Sequence, residues 1–417
     1  MLMGALNDWR EVRLEDVCER ITVGHVGSMA NEYVSEGIPF LRSQNITPFK
    51  VDLRDVKYIT SEFNEKLKKS ALRPGDVAVV RTGYPGTAAV IPRALMVSNC
   101  SDLVIIRPGE EIDSWFLSCL FNSVWGKNMV AGNLVGVAQQ HFNVGAAKNL
   151  RIRLPPIQIQ QTIASILRNY DDLIENNTRR IEILEEMARR LYEEWFVQFR
   201  FPGHEGVEFK ESELGLIPEG WKVVALETAV EINPKTKVER DGEKVFVPMG
   251  ALSETGMVIS GWEIKSGNSG AKFQNGDTLV ARISPCLENG KTGFVDFLPA
   301  NQPTACGSTE FIVLRSRSLC PEMVYCLSRS DRFREVAMKS MSGATGRQRV
   351  RVESLLGYPI AQPENELVAK YHAFAQPCFK EIRVLANKNA NLRQQRDLLL
   401  PKLISGEIDV SDIPMPT

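Results

Sequence analysis

IASILRNYDDLIENNTRRIEILEEMARRLYEEW, residues 163–195, is the stretch on which the fold turns. Apolar residues recur here at alternating steps of four and three: Ile163, Leu167, Tyr170, Ile174, Ile181, Leu184, Ala188, Leu191 and Trp195. Asn177 alone interrupts the stripe, and no Gly or Pro breaks the segment before Pro202. Glu182, Glu185, Glu186, Arg189 and Arg190 supply solvated faces. One reading is an amphipathic helix lying on its own domain. A stripe this narrow and sustained favours the other, a heptad seam between two helices.

A partner lies further along the chain. Tyr371, Ala375, Cys378, Ile382, Leu385, Asn389, Leu392, Arg396, Leu399 and Leu403 repeat the spacing. Pro377 falls early in this second stripe, where it is expected to kink the helix or delay its start, because proline lacks the N–H and its ring clashes with the preceding turn. Asn177 and Asn389 sit at seam positions and are expected to fix register at some cost in stability.

The segments between the helices also recur. Trp9 opens WREVRLEDV and Trp221 opens WKVVALETA; GDVAVVRTG (75–83) answers GDTLVARIS (276–284); SDLVIIRP (101–108) answers STEFIVLR (308–315). WFLSCLFNS (115–123) answers MVYCLSRSD (323–331), and GNLVGVAQQHF (132–142) answers MSGATGRQR (341–349). The order is kept at an offset near ~207 residues, which marks two diverged copies of one unit. Within each copy, β-branched runs bounded by Gly, Pro and Asp read as strands. A short helix follows (114–130 and 322–338), then a polar loop, a strand ending at a proline step, and the long helix. The fold class is therefore α+β: two similar units of short-strand mixed sheets with helices, joined by two long helices. A twofold relation between the copies would make those helices an antiparallel coiled coil. The expected divisions are 1–157, 158–205, 206–363 and 364–417.

Composition narrows the function classes. The formal net charge is −1, so any nucleic-acid contact must come from local patches and not from a global basic field. The eight cysteines form no CxxC pair and the four histidines do not cluster in sequence, which argues against a structural zinc site. No signal-peptide pattern opens the chain and no apolar run is long enough to span a membrane, so the expectation is a cytoplasmic protein with free thiols. Gly290-Lys291-Thr292 resembles the end of a phosphate-binding loop, but Pro285 stands where its leading glycine belongs. No G-x-G-x-x-G follows a strand, and no Asn/Asp-Pro-Pro-aromatic tetrad exists to hold a flipped base. No catalytic residue is assigned.

Three places suit DNA contact. The first is FLRSQNI (40–46), with Arg42, Gln44 and Asn45; its counterpart, PMGALSE, is less polar. The second follows each GD strand: Arg81, Thr82 and Tyr84 in one copy, Arg282, Ser284 and Lys291 in the other. The third is the polar loop of each copy, with Gln139, Gln140 and His141, and with Thr345, Arg347, Gln348 and Arg349. Arginine pairs with guanine and glutamine with adenine in the major groove. The second-copy loop lies in a basic stretch, Arg315 to Arg351, opposed only by Glu322, Asp331 and Glu335. A charge run of this kind is also what a solvated face looks like, and an arginine after a strand is also an ordinary hairpin residue.

The chain as a whole resembles the specificity subunits of type I restriction-modification enzymes. The resemblance rests on LPPIQIQQTIASILRNYDDLIENNTRRIEILEEMARRLYEEWF (154–196), the FPGHEG that follows (201–206) and the ending LLLPKLISGEI (398–408). It implies two target-recognition domains, each reading through the major groove one part of a split, asymmetric site in double-stranded DNA. It implies two antiparallel spacer helices, near 160–200 and 367–405, and recognition loops within 38–46, 75–87 and 136–143 and within 246–254, 276–292 and 343–351. Two adenine methyltransferase subunits and motor-nuclease subunits are the implied partners. S-adenosylmethionine, ATP and Mg²⁺ would belong to those partners, with no cofactor on this chain. A helix of about 35 residues is roughly 50 Å long, more than one DNA turn of about 34 Å, so such a rod can act as a ruler between half-sites. An enzyme acting alone, or a coiled-coil scaffold that never touches DNA, are the competing classes.

Overall fold

The computed structural model describes residues 9–134, 141–344 and 347–413. The chain forms two compact units, residues 1–175 with 391–417, and residues 176–390.

The first unit is built around Val77–Val80, a strand buried on both faces. Val77 and Val79 pack with Phe116, Leu117 and Leu120 of the helix Ser114–Asn122; Ala78 and Val80 pack with Leu41, Leu72 and Ile105 on the other side. Such two-sided burial admits only apolar residues, which is why the run reads as continuous valine and alanine. The strand is central to an antiparallel sheet whose members, in spatial order, are Ala88–Val90, Val77–Val80, Leu103–Pro108 and Cys18–Val23. A second sheet centres on a parallel pair, Ile38–Leu41 beside Ser98–Cys100, with Ala71–Leu72 on one side and Lys57–Ile59 and Tyr33–Val34 on the other.

The second unit repeats this wiring. Its first sheet runs Thr292–Phe294, Thr278–Ala281, Phe311–Ser316, Val230–Ile232, again with a central strand buried throughout. Its second sheet again has a parallel pair, Glu243–Val247 beside Thr304–Gly307, flanked by Ala271–Gln274 and Glu263–Ser266. Each unit also closes a two-stranded ribbon before its long helix: Arg10–Arg13 with Arg151–Leu154, and Lys222–Ala225 with Pro359–Gln362. The duplication seen in sequence is thus a duplication of topology.

The GD dipeptide has the same task in both units. Gly75 and Gly276 adopt positive φ (89° and 91°), which turns the chain into the central strand. The next residue is a buried carboxylate. Asp76 accepts from the Arg73 amide at 2.9 Å and from Arg107 Nε and Nη2, both at 2.8 Å. Asp277 accepts from the Gln274 amide at 2.8 Å and from Arg315 Nε and Nη2, both at 2.7 Å. Each pair is a bidentate fork whose hydrogen bonds raise both arginines above their usual range, while burial pushes the Asp277 carboxyl up.

The long helices run Ile157–Phe196 and Asn365–Ser405. Each contributes part of its length to each unit. Every seam position is buried or half-buried, whereas Leu173, Ile183, Met187, Val384 and Leu398, off the seam, are exposed. In the second unit the pairing is antiparallel: Asn177 Nδ2 donates to Asn389 Oδ1 (2.9 Å), Arg180 bridges Glu381 (3.2 Å), and the Tyr371 hydroxyl donates to the Ala188 carbonyl (3.0 Å). In the first unit Ile163 and Leu167 share a core with Leu400 and Leu403, and Arg396 pairs with Asp171. Arg396 also lies over the Phe49 ring (4.8 Å), and in the second unit Arg383 pairs with Asp296 and lies over Phe297 (5.4 Å). A helix arginine on the aromatic face of a loop phenylalanine therefore ties the helix to its unit in both cases.

Pro377 does not delay the second helix. The helix begins at Asn365, and Pro377 lies within it on an exposed face. Tyr371, Ala375, Phe379 and Ile382 hold the two turns around it in the core, and this packing outweighs the lost N–H. Among the described residues, no helix is long and apolar enough to cross a membrane.

Two stability outcomes follow. Asp277→Ala leaves Arg315, whose side chain is 20% exposed, without its carboxylate, and should cost about 3–5 kcal/mol in urea unfolding. Replacing both partners by Leu and Met should recover most of that loss; a double variant as unstable as the single one would show that the pair is not the cause. Asn177→Leu strips Asn389 of one donor and should cost about 1–2 kcal/mol, whereas Asn177→Leu with Asn389→Leu should unfold at or above the wild-type urea midpoint.

Candidate nucleic-acid interface

Each two-sided strand leads directly into arginine, Arg81 in the first unit and Arg282 in the second. A side chain at that point leaves the apolar layer, so the strand presents a cation at its rim. In both cases Nε is buried with no hydrogen-bond partner among the described residues.

The polar loop of each unit comes back to this arginine through its backbone. The Phe142 amide donates to the Arg81 carbonyl (3.0 Å), and the Val350 amide to the Arg282 carbonyl (2.8 Å). In the second unit the Ser284 amide also donates to the Gln348 carbonyl (3.0 Å). Two candidate loops, far apart in sequence, thus form one surface in each unit.

A third element joins them, and it is acidic. Asp102, in a left-handed conformation (φ 54°), receives the Thr82 hydroxyl and the Ser43 hydroxyl (3.5 Å), with Arg81 Nη1 at 3.8 Å. Ser43 belongs to the FLRSQNI loop, so two first-copy loops meet at Asp102, and Phe142 joins the third to them through the Arg81 carbonyl. Glu310 takes the equivalent place in the second unit, just before the strand Phe311–Ser316. Its carbonyl accepts from the Arg282 amide (2.9 Å), and its carboxylate receives Arg349 Nε at 2.9 Å and Nη2 at 2.8 Å. Those hydrogen bonds hold the Glu310 carboxyl below its ordinary range. Sequence reading passed over both acids. The signal was present in the repeat, as acid at matching positions in Ser101-Asp102-Leu103 and Thr309-Glu310-Phe311.

The remaining candidates divide by what already holds them. Arg42 donates to the Asp55 carbonyl (2.6 Å) and carboxylate (3.0 Å), and Gln44 to the same carboxylate (2.7 Å). Hydrogen bonds from Arg42 and Lys57 hold Asp55 below the usual carboxylate range. Asn45 is buried and braces its own loop, accepting from the Arg42 amide (3.0 Å) and donating to the Asp52 carbonyl (3.0 Å). Ser284 donates to Glu288 (2.8 Å), and Lys291 is half-buried, its carbonyl accepting from the Ala281 amide (3.0 Å). Tyr84 is 84% exposed. His141 and Gln348 are half-buried and Arg347 is exposed. Gln139, Gln140 and Thr345 lie outside the described residues.

The basic stretch is not one patch. Arg315 belongs to Asp277; Arg317 donates to the Glu227 carbonyl (2.9 Å), Arg329 to the Gly290 and Glu254 carbonyls (3.1 and 3.2 Å), and Arg334 to the Glu288 carbonyl (2.7 Å). Two of these four, Arg329 and Arg334, hold the loop 284–292 in place. A run of charge in sequence cannot reveal that backbone carbonyls absorb it.

One grouping has metal-ligand chemistry. Cys320, Glu322 and His372 bring a thiol, a carboxylate and an imidazole within 4.8 Å, His372 coming from far along the sequence. His372 Nδ1 already meets Glu322 Oε2 at 2.8 Å, and burial pushes the Cys320 thiol well above its ordinary range, away from the thiolate a metal needs. The group reads as a hydrogen-bonded contact between a short helix and the second long helix.

Comparison with known proteins agrees with this architecture. Residues 7–186 match the type I restriction modification DNA specificity domain. The chain is 25% identical to the type I restriction enzyme MjaIX specificity subunit of Methanocaldococcus jannaschii, over 97% of this chain and 95% of that protein. It is 23% identical to the HindI specificity subunit of Haemophilus influenzae, over 97% of this chain and 100% of that one. The crystal structure of a type I restriction-modification S subunit from M. genitalium superimposes with a TM-score of 0.59 at 13% identity, over 97% of this chain and 98% of that one, and shares the fold. Residues 7–186 thus carry the DNA specificity domain of type I restriction-modification systems, and over nearly its whole length the chain is similar to the specificity subunits of that family.

Proposed function

We propose that each copy of the repeat reads one part of a split, asymmetric site in double-stranded DNA. The observation that carries this is the recurrence, in both units, of a strand-end arginine with an unpartnered Nε, joined by a returning polar loop and faced by an acid. One such rim is a common loop arrangement. Two, built on the same topology with different side chains, suit a protein that reads two different short sequences. Recognition domains at 1–157 and 206–363 and spacer helices at 158–205 and 364–417 are the matching division of the chain.

The long helices are the proposed ruler and docking platform. Their seam is consumed by the helix pairing, yet Ile183 and Met187 are 49% and 45% exposed one turn apart on the first helix, and Leu398 is 60% exposed on the second. Apolar side chains in such positions suit cover by protein. Two methyltransferase subunits are the proposed occupants, with motor-nuclease subunits joining them in a cytoplasmic complex. S-adenosylmethionine, ATP and Mg²⁺ are assigned to those subunits.

The experiment is methylome sequencing of host DNA with and without this gene, alongside its methyltransferase. Loss of N6-methyladenine at one split motif on deletion is expected; no change at any motif would overturn the reading. In the purified complex, Arg81→Ala and Arg282→Ala should each weaken DNA binding and reduce the slope of log K against log salt by about one phosphate contact. Arg347→Ala should weaken one half-site while leaving methyltransferase association intact; unchanged methylation would remove Arg347 from the interface. Deleting four residues within 170–190 should abolish methylation of the original split site, and full-rate methylation of it would contradict the ruler.

A further inference from the structure

Asp102 and Glu310 are the odd members of the two rims. A carboxylate at the centre of a surface that receives a polyanion repels phosphate nearby, and only acceptance from a base amino group would offset this. Yet each unit places an acid at the same point of its topology, immediately before the inner strand beside the GD strand. Neither acid serves the core, since the buried structural carboxylates are Asp76 and Asp277, which already hold Arg107 and Arg315. The side chains of Asp102 and Glu310 are 43% and 24% exposed, within reach of an incoming ligand.

What they hold is informative. Asp102 takes the hydroxyls of Thr82 and Ser43 and faces Arg81; Glu310 takes both donors of the Arg349 fork. These are donors from the candidate reading loops. The pairing chemistry differs between the units, hydroxyls in one and guanidinium in the other, while the position of the acid is kept. A carboxylate also offers the two-oxygen geometry that a phosphate offers to arginine.

We infer that Asp102 and Glu310 are specificity-determining residues, acidic gates that occupy the loop donors in the absence of DNA and oppose phosphate at any site unable to replace them. A non-cognate duplex offers only its backbone, and this must displace the acid without compensation from base edges. A cognate duplex supplies those edges, and the donors exchange the acid for the DNA. The acids thus weaken all binding and weaken non-cognate binding most. The inference rests on the proposed DNA contact at these rims.

The test uses the full chain in complex with its methyltransferase, carrying Asp102→Asn or Glu310→Gln. Both replacements keep shape, and asparagine tolerates the left-handed backbone at position 102. The probes are a duplex carrying the motif found by methylome sequencing and a random-sequence duplex of equal length. Each variant should bind the random duplex at least about threefold more tightly, with a smaller change on the motif duplex, so that discrimination falls. Methylation should relax at one half-site in Asp102→Asn and at the other in Glu310→Gln. A merely structural acid would lower the unfolding midpoint without tightening random-duplex binding, and that result overturns the inference. Weaker binding of the motif duplex alone also overturns it, and would make the acid a direct reader of a base amino group. Arg81→Ala and Arg282→Ala separate the two layers: if they weaken binding and the acid variants change nothing, only the gate is wrong. If they too change nothing, the interface is wrong and the gate falls with it.

Discussion

A strand covered on both faces can carry polar chemistry only at its ends, and this constraint organises each unit. Val77–Val80 and Thr278–Ala281 are buried throughout. One end meets the GD turn, where Asp76 or Asp277 fixes the strand to its neighbour through a bidentate arginine. The other end leads to Arg81 or Arg282, which emerges at the rim. The stabilising pair and the proposed DNA contact thereby lie at opposite ends of a single strand. The buried pair at one end is expensive to break, so the end that faces the ligand stays in place while its loops vary.

The long-range architecture was legible because it depends on periodicity. The stripe from Ile163 to Trp195 and that from Tyr371 to Leu403 require a seam, and the structure buries or half-buries every position of both. The repeat was legible because both copies need the same apolar strands and the same positive-φ glycine. Pro377 was misleading for a definable reason. A proline's local penalty is a few kcal/mol, and a helix packed along most of one face gains more than that from its core contacts.

The interface was legible only as residue types. Backbone hydrogen bonds join Phe142 to Arg81 and Val350 to Arg282, and main-chain amides leave no side-chain signature. The basic stretch misled in the opposite sense. Its arginines look like a patch in sequence, yet Arg315, Arg317, Arg329 and Arg334 are taken up by a carboxylate and by carbonyls. Counting charge does not distinguish a guanidinium offered to solvent from one that props a loop. The partner atoms decide it, and they are distant in sequence.

The differences between the copies carry a final argument. A duplicated domain that kept one specificity would have kept its rim chemistry together with its scaffold. Here the scaffold is kept: sheet order, ribbon, glycine, buried acid and paired arginine all recur. The rim is not: Thr82 and Ser43 face Asp102 where Arg349 faces Glu310, and Arg42 and Gln44 have no polar equivalents in Pro248–Glu254. Divergence confined to the rim is what two readers of unlike sequences require. The acids stand out against this divergence, because they and the strand-end arginines Arg81 and Arg282 keep their charge and position in both rims. An acidic charge kept in place among changing neighbours suits a task common to both units better than the reading of either sequence. Its constant property is negative charge, and what every DNA sequence presents alike is phosphate.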